Sequence, residues 1–229
     1  MDPTNKLIVI AFRGSQSIQN FIADLVALQE PWSVCSGCWA HIGFLDSWNS
    51  VKSQVTNAVN SAQSANPGYQ IIATGHSLGA AMATLAAGEL RSEGYSVALV
   101  CMATSSSSPS IFSRSLTNIQ PQQYTYGSPM VGNTALAEFI TAQPGGNFRV
   151  THANDLVPKL PGYELGYAHV SPEYWITSAI DVTVTTSVVQ VSTGNEDTSG
   201  NEGQSGGSIP DHLFYFNSIS ACGPVGINE

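Results

Sequence analysis

The sequence is poor in positive charge: seven Lys and Arg stand against sixteen Asp and Glu, a formal net charge of −9. A nucleic-acid partner requires clustered Lys and Arg to neutralise phosphates, and no such cluster occurs, so that class is excluded. Docking on an anionic membrane is disfavoured on the same ground, while apolar contact with neutral lipid stays open. Long hydrophobic runs are lacking too. The strongest, Leu7–Phe12 and Val97–Ala103, are of strand length, far below the ~18–20 residues that span a bilayer. The opening MDPTNK has no apolar stretch of a secretory signal, which reads as a cytosolic chain or one that begins inside a longer precursor. Cysteines number four. Cys35 and Cys38 form a tight CSGC, Cys101 and Cys222 stand alone. Neither a second CxxC nor a His pair is present to complete a zinc site, and a redox CxxC belongs at a helix start in a βαβ unit. A local Cys35–Cys38 disulfide, and with it an oxidising compartment, is therefore the preferred reading.

What is present is an ordinary globular interior, with 42% apolar and 10% charged residues over 229 positions, enough for one domain. Lys6–Phe12 reads as a strand. Residues 17–28 place Ile18, Phe21, Ile22 and Leu25 at helical spacing. Pro31–Gly43 reads as a connector, and Leu45–Ala65 as an amphipathic helix stopped by Asn66-Pro67-Gly68. Tyr69–Thr74 is a strand, followed by an Ala-rich helix to about Arg91. Tyr124–Gly127 and Asn147–Thr151 are further strands with a helix near Asn133–Gln143 between them. Such alternation predicts an α/β fold whose mostly parallel sheet carries helices on both faces. Two stretches interrupt it: Cys101–Gln123, without period, and Thr193–Gly207, rich in Gly, Ser and Asn, which reads as a mobile loop.

Gly75-His76-Ser77-Leu78-Gly79 follows an apolar strand and opens a helix, the context in which Gly-x-Ser-x-Gly acts as a nucleophile elbow. The sharp turn demands positions without side chains and aims the serine hydroxyl over the sheet edge, where helix N–H groups favour developing negative charge. A serine that only caps the helix is the plainer alternative, but a cap needs neither glycine. A serine nucleophile needs a base. Because the partners follow the serine as acid and then histidine in this fold, His212 is chosen, with His169 in reserve. Asp155, just past a strand, is the acid that would hold the imidazole tautomer. Asp211 is a weak rival, and Glu164, Glu173 and Asp181 are less well placed. The oxyanion donors are the backbone N–H of Leu78 and a second donor from Ser15. On periodicity alone the stripe of Ile18, Phe21, Ile22 and Leu25 is core; if the segment moves, it is a lid.

Taken together, TNKLIVIAFRGSQSIQNFIADL, CSGC, TGHSLGA, YTYGSPMVGN, FRVTHANDLVPKLPG, GYAHVSPEYW and DHLFYF resemble the filamentous-fungal class 3 lipases, whose relatives include feruloyl esterases. The resemblance runs through nearly the whole chain apart from the two interruptions and implies an α/β-hydrolase fold in a single domain, 1–229. It implies Ser77, Asp155 and His212 as catalytic residues, Ser15 and Leu78 as oxyanion residues, residues 17–28 as a short helical lid, and Cys35–Cys38 as a disulfide near it. It further implies a secreted, monomeric enzyme without metal or cofactor, acting on triacylglycerols or related esters at an oil–water interface. The apolar lid favours a lipase over a feruloyl esterase, whose lid is polar. Three departures stand out. The family has several dozen residues before TNKLIV where this chain has Met1-Asp2-Pro3, so the sheet is expected to bare an edge or apolar surface and Cys222 to lack its family partner. Residues 101–123 interrupt a strand expected to run from Val97 into Tyr124, and are read as an insert, a retained intron in the gene model. Ala80 stands where many members have glycine. A truncated, inactive or poorly folding member is the further alternative these departures raise.

Overall fold

The computed structural model describes residues 1–95, 97–98 and 122–219. Its centre is a sheet in the order β1 (Leu7–Phe12), β4 (Gln70–His76), β6 (Gln122–Tyr126), β7 (Gly146–His152), β8 (Glu173–Ile176) and β9 (Val189–Ser192), with β5 (Val97–Ala98) also on β4. All pairings are parallel except β8 with β9. A separate hairpin pairs β2 (Gln29–Pro31) with β3 (Trp39–His41) inside the stretch that reads as a connector.

The strand order explains where the helices lie. From β1 to β7 each new parallel strand is added on the same side of the last, and right-handed crossovers then deliver their helices to one face. Accordingly α2 (Ile42–Ala65), α3 (Leu78–Ser92) and α4 (Thr134–Ala142) pack together, sharing a core that includes Trp48, Leu85, Leu136 and Ile140. The opposite face meets the short α5 (Ile209–His212), the aromatic residues after it and Val184. It carries Tyr124, Tyr126, Val150, Ile176 and Tyr215, and a hollow of about 250 Å³ between Phe148, Tyr174, Ile176, Val189 and Phe216.

Helix α3 can lie in the middle of its layer because it is built of small residues. Ala80, Ala81, Ala83, Ala86 and Ala87 are all fully enclosed, so β4 and α2 approach it closely, which maximises buried apolar area per residue. Trp48 of α2 is also fully buried and satisfies its indole N–H on Glu89 of α3 at 2.5 Å. Truncating it would cost about 3–5 kcal/mol. Helix α2 ends where Asn66 caps it and Gly68 turns the chain at φ +85°.

The ladder beside β4 bears on the interrupted strand. Ile72 pairs with Ala98, and Thr74, two positions on, pairs with Tyr124. The chain thus advances 26 residues while the ladder advances two. Gln122 and Gln123 belong to β6, paired with Gly146 and Asn147; the rest of the predicted insert lies outside the described residues, as do Cys101 and Cys222. The stretch expected to be a mobile loop, 193–207, is fastened at several points. Asn195 bonds the His169 carbonyl at 2.7 Å, Asn201 is buried, and the Lys159 ammonium reaches the Gly206 carbonyl at 2.9 Å.

Candidate active site

At the carboxyl end of β4 the chain turns directly into α3, and the turn has no room for side chains. A Cβ on Gly75 would strike the Gly79 backbone, and one on Gly79 would strike the carbonyl of Phe12 at the end of β1. Between them Ser77 takes φ +58°, ψ −129°, a conformation costly for a residue with a side chain and typical of sites where the surroundings enforce it. Its N–H is held by the Tyr126 carbonyl of β6 at 3.0 Å. The hydroxyl makes no capping bond to α3, which removes the N-cap alternative. Ser77 is fully buried, and its Oγ has no hydrogen-bond partner among the described residues. Leu78 opens the helix, so its N–H belongs to the first-turn donors that have no intrahelical acceptor. Gly14, before Ser15, lies against the elbow: a Cβ there would be 2.8 Å from the His76 carbonyl and 3.4 Å from Ser77 Cβ.

His212 reaches the same spot from the far end of the chain. Ser208 caps α5 by accepting the Asp211 N–H at 3.1 Å, and Pro210 stiffens the first turn. The segment is tied to the end of β7: Ser208 N–H to Asn154 O (2.8 Å), Leu156 N–H to Ser208 O (3.3 Å), and Asn154 N–H to Asp211 Oδ2 (3.0 Å). Asp211, the rival acid, is therefore a clamp. Gly127, φ +53°, gives the imidazole its space, since a Cβ would come within 2.8 Å of the His212 ring and of the Tyr215 hydroxyl. Ser77 and His212 thus both abut the Tyr126–Gly127 unit. His212 Nε2 is buried and, like Ser77 Oγ, has no hydrogen-bond partner. The two are not bonded to each other.

The other imidazole nitrogen is firmly engaged. His212 Nδ1 donates to both oxygens of Asp155 at 3.0 and 2.9 Å. The same carboxylate accepts the Val157 N–H on Oδ1 at 2.8 Å and the Tyr215 hydroxyl on Oδ2 at 2.5 Å, with Asp155, His212 and Tyr215 all buried. Burial first, then the Asp155 charge, pushes the Tyr215 phenol well above its ordinary range, so it stays a neutral donor. Tyr215 escaped the sequence reading. Its signal is a tyrosine in an apolar run, which needs an acceptor once buried.

The other candidates lie elsewhere. His76 donates through Nε2 to the His212 carbonyl at 2.9 Å, and its ring lies 4.3 Å from the His212 ring. Burial, then the neighbouring His212, lowers its pKa to about 3, so it is a neutral support. The reserve base His169 sits in the core with Nε2 on the Pro158 carbonyl at 2.7 Å. Burial and then the Arg149 charge hold its pKa well below the ordinary value. Glu173 is buried in a separate cluster with Arg149 (3.3 Å) and Thr151 (2.7 Å), while Glu164 and Asp181 are exposed. Among the described residues, no three His, Cys, Asp or Glu are grouped to hold a metal, and no helix is long and apolar enough to cross a membrane.

Beside the elbow, α1 (Ile18–Ala23) is six residues long, shorter than the expected 17–28. Ser17 caps it by accepting the Asn20 N–H at 3.3 Å, and it ends at Asp24, where the chain turns towards β2. Its apolar stripe faces inward. Ile18 is buried, Ile22 half-buried, and Phe21 stacks on Phe44 at 6.3 Å. Phe21 and Leu25 join Leu78 against the α2–α3 core. Cys35 and Cys38 form a disulfide in the β2–β3 connection.

Residues 9–165 match the family model Lipase (class 3). The chain is 42% identical over 224 residues to secreted mono- and diacylglycerol lipase A of Penicillium cyclopium, covering 96% of this chain and 66% of that protein. It is 38% identical to secreted mono- and diacylglycerol lipase 1 of Fusarium solani, covering 99% and 61%. It therefore spans just under two thirds of these relatives. Among solved structures, a mono- and diacylglycerol lipase from Aspergillus oryzae superposes with a TM-score of 0.81 at 38% identity, covering 97% of this chain and 76% of that one. Rhizomucor miehei triacylglyceride lipase follows at 0.78 and 32%, covering 96% and 76%. With the elbow, the parallel sheet and these matches in agreement, the chain belongs to the class 3 lipase family.

Proposed function

We propose that the protein is a serine-dependent acylglycerol lipase in which Ser77, His212 and Asp155 form the catalytic triad. The observation that carries this reading is that two unsatisfied groups, a strained serine hydroxyl and an imidazole nitrogen, are both buried against the Tyr126–Gly127 unit. Buried polar atoms normally find partners. A nucleophile and a base left open at one spot are explained by a reaction that joins them.

In the reaction, Ser77 Oγ attacks the ester carbonyl while His212 Nε2 takes its proton. Asp155 holds the Nδ1–H and stabilises the imidazolium. The Leu78 N–H and Ser15 stabilise the oxyanion. His212 returns the proton to the departing glycerol oxygen, leaving an acyl-Ser77 ester that water, deprotonated by His212, hydrolyses to the fatty acid. Because Ser77 and His212 are fully enclosed, substrate entry requires a lid to move, and α1, a single short helix between the end of β1 and β2, serves as that lid. The relatives' names support partial glycerides as substrates beside the triacylglycerols that the sequence pattern implies. Their designation as secreted and the Cys35–Cys38 disulfide support an extracellular site of action.

A fluorophosphonate probe followed by peptide mass spectrometry tests the reading. The adduct is expected on Ser77 and absent from Ser77→Ala; an active enzyme labelled elsewhere refutes it. Rates on emulsified diolein, triolein and methyl ferulate then fix the substrate class, with preference for ferulate defeating the lipase reading.

A further inference from the structure

The arm that carries His212 has no cation of its own. From Leu160 to Glu229 the sequence holds neither Lys nor Arg, while Glu196, Asp197, Glu202 and Asp211 fall between β9 and His212. An ammonium reaches the arm from outside it. Lys159 ends a short 3₁₀ turn, Val157–Lys159, that follows Asp155. Its Nζ donates to Asn154 Oδ1 at 2.6 Å, to the Gln204 carbonyl at 2.5 Å and to the Gly206 carbonyl at 2.9 Å. An ammonium offers three N–H bonds, and each of these finds an acceptor.

Those acceptors set Lys159 across the seam between the acid and the base. On one side, Asn154 immediately precedes Asp155, and Asp155 Oδ1 accepts the Val157 N–H, at the start of the lysine's own turn, at 2.8 Å. On the other, Gln204 and Gly206 lead into Ser208, the cap of α5, whose last residue is His212. The Asn154 side chain closes the circuit: its Oδ1 accepts from Lys159 and its Nδ2 donates to the Ser205 carbonyl at 2.9 Å. The arm needs such a hold because its own residues resist order. Gly206 stands at φ +78°, and a Cβ on Gly207 would lie 2.5 Å from Leu156 Cδ1. Glycine loses more conformational freedom on ordering than any other residue, and charge-assisted bonds are the stronger kind. Two carboxylates face the ammonium, Glu202 from the arm and Asp155 from the turn. Burial lowers its pKa from the ordinary lysine value, and these two charges act the other way.

We propose that Lys159 is a positioning residue: its ammonium locks the arm carrying His212 to the turn carrying Asp155, so that the imidazole stays on the carboxylate while it exchanges a proton with Ser77. This rests on the reading of Ser77, Asp155 and His212 as the triad. Loss of one ammonium proton leaves two N–H bonds for three acceptors, so the lock loosens as pH rises.

Turnover of p-nitrophenyl butyrate, a soluble ester, tests it per folded molecule. Lys159→Met keeps the apolar length of the side chain and removes its donors. It is expected to lower kcat roughly tenfold with KM unchanged, the scale of a sub-ångström misplacement of the imidazole. Lys159→Arg should restore most of that loss. The pH profile separates positioning from stability. The parent's kcat should fall as pH rises past the lowered pKa of Lys159, and the fall should vanish in Lys159→Arg, whose guanidinium keeps its charge. A parental kcat in Lys159→Met with only a lower melting temperature overturns the proposal, as does an alkaline fall that persists in Lys159→Arg. If Lys159→Met does not fold, the Lys159→Arg profile decides alone. Failure of the triad reading looks different: Ser77→Ala then hydrolyses the ester as fast as the parent. Hydrogen exchange still reads the lock in that case, with faster exchange of amides 205–213 expected in Lys159→Met and unchanged exchange overturning it.

Discussion

The two sides of the His212 ring differ in how they are held. On the Nδ1 side, Asp155 collects bonds from His212, Val157 and Tyr215, its two ring partners, His212 and Tyr215, lying 57 and 60 residues away in sequence. On the Nε2 side, Ser77 Oγ and His212 Nε2 are enclosed and unpaired among the described residues. An unsatisfied buried polar atom costs about 1–3 kcal/mol. The cost therefore lies on the Nε2 side, where the proposed reaction would bring substrate, and none lies on the Nδ1 side, where Asp155 fixes the tautomer. One half is bonded throughout, and the other is left open for a partner.

Removing the open half's chemistry should have the largest effect. Ser77→Ala is expected to lower kcat by on the order of 10⁶, as in serine hydrolases whose nucleophile is removed, with a thermal melt that rises, since an unpaired buried hydroxyl is lost. A residual rate within tenfold of the parent would break the assignment. Next comes the boundary between the halves. A Cβ at Gly127 would meet the His212 ring and the Tyr215 hydroxyl at 2.8 Å, and the φ of +53° is itself unfavourable for alanine. Gly127→Ala should displace the imidazole, reducing kcat roughly 10²-fold, the effect of about 1 Å of misplacement. It should also cost about 1–3 kcal/mol of stability, measured by urea unfolding.

The same division tracks what could be read from the sequence. Ser77, Asp155 and His212 were legible because a motif in context, chain order and the end of a strand restrict the choice; the structure joins His212 to Asp155 and sets Ser77 and His212 against the same Tyr126–Gly127 unit. The network holding the closed half was not. Tyr215 bonds an aspartate 60 positions away, and no local pattern records that. Thr193–Gly207 has the composition of a loose loop, yet Lys159 and Asn201 anchor it through contacts set only by the fold. The β2–β3 hairpin has strands of three residues, one with a proline, too short for alternation to register. The parallel sheet was legible, but the placement of α2, α3 and α4 on one face follows from strand order, which hydrophobic period does not encode.

The held half can be loosened by one atom. Tyr215→Phe removes the 2.5 Å bond to Asp155 Oδ2 while keeping the ring in the core. A buried hydrogen bond to a charged group contributes about 1.5–3 kcal/mol, so kcat should fall about tenfold with KM nearly constant. A purely structural role would instead lower the melting temperature and leave kcat per folded molecule intact.

The smallest effect concerns pH and sharpens the contrast without touching the chemistry. Burial is the leading cause that lowers His41, His76 and His169 from the ordinary imidazole value, His76 to about 3. Between those values and about 6.5 the unfolded chain binds protons that the folded chain refuses, so stability falls as pH drops through this window. Each histidine contributes at most about 1.4 kcal/mol per pH unit. The urea midpoint should therefore decline from pH 7 to pH 5, and His169→Gln, replacing a ring that makes no bond to Asp155 itself, should make the decline shallower. A midpoint that rises on acidification would mean that these rings are charged in the folded protein, and the neutral support assigned to His76 beneath His212 would no longer hold.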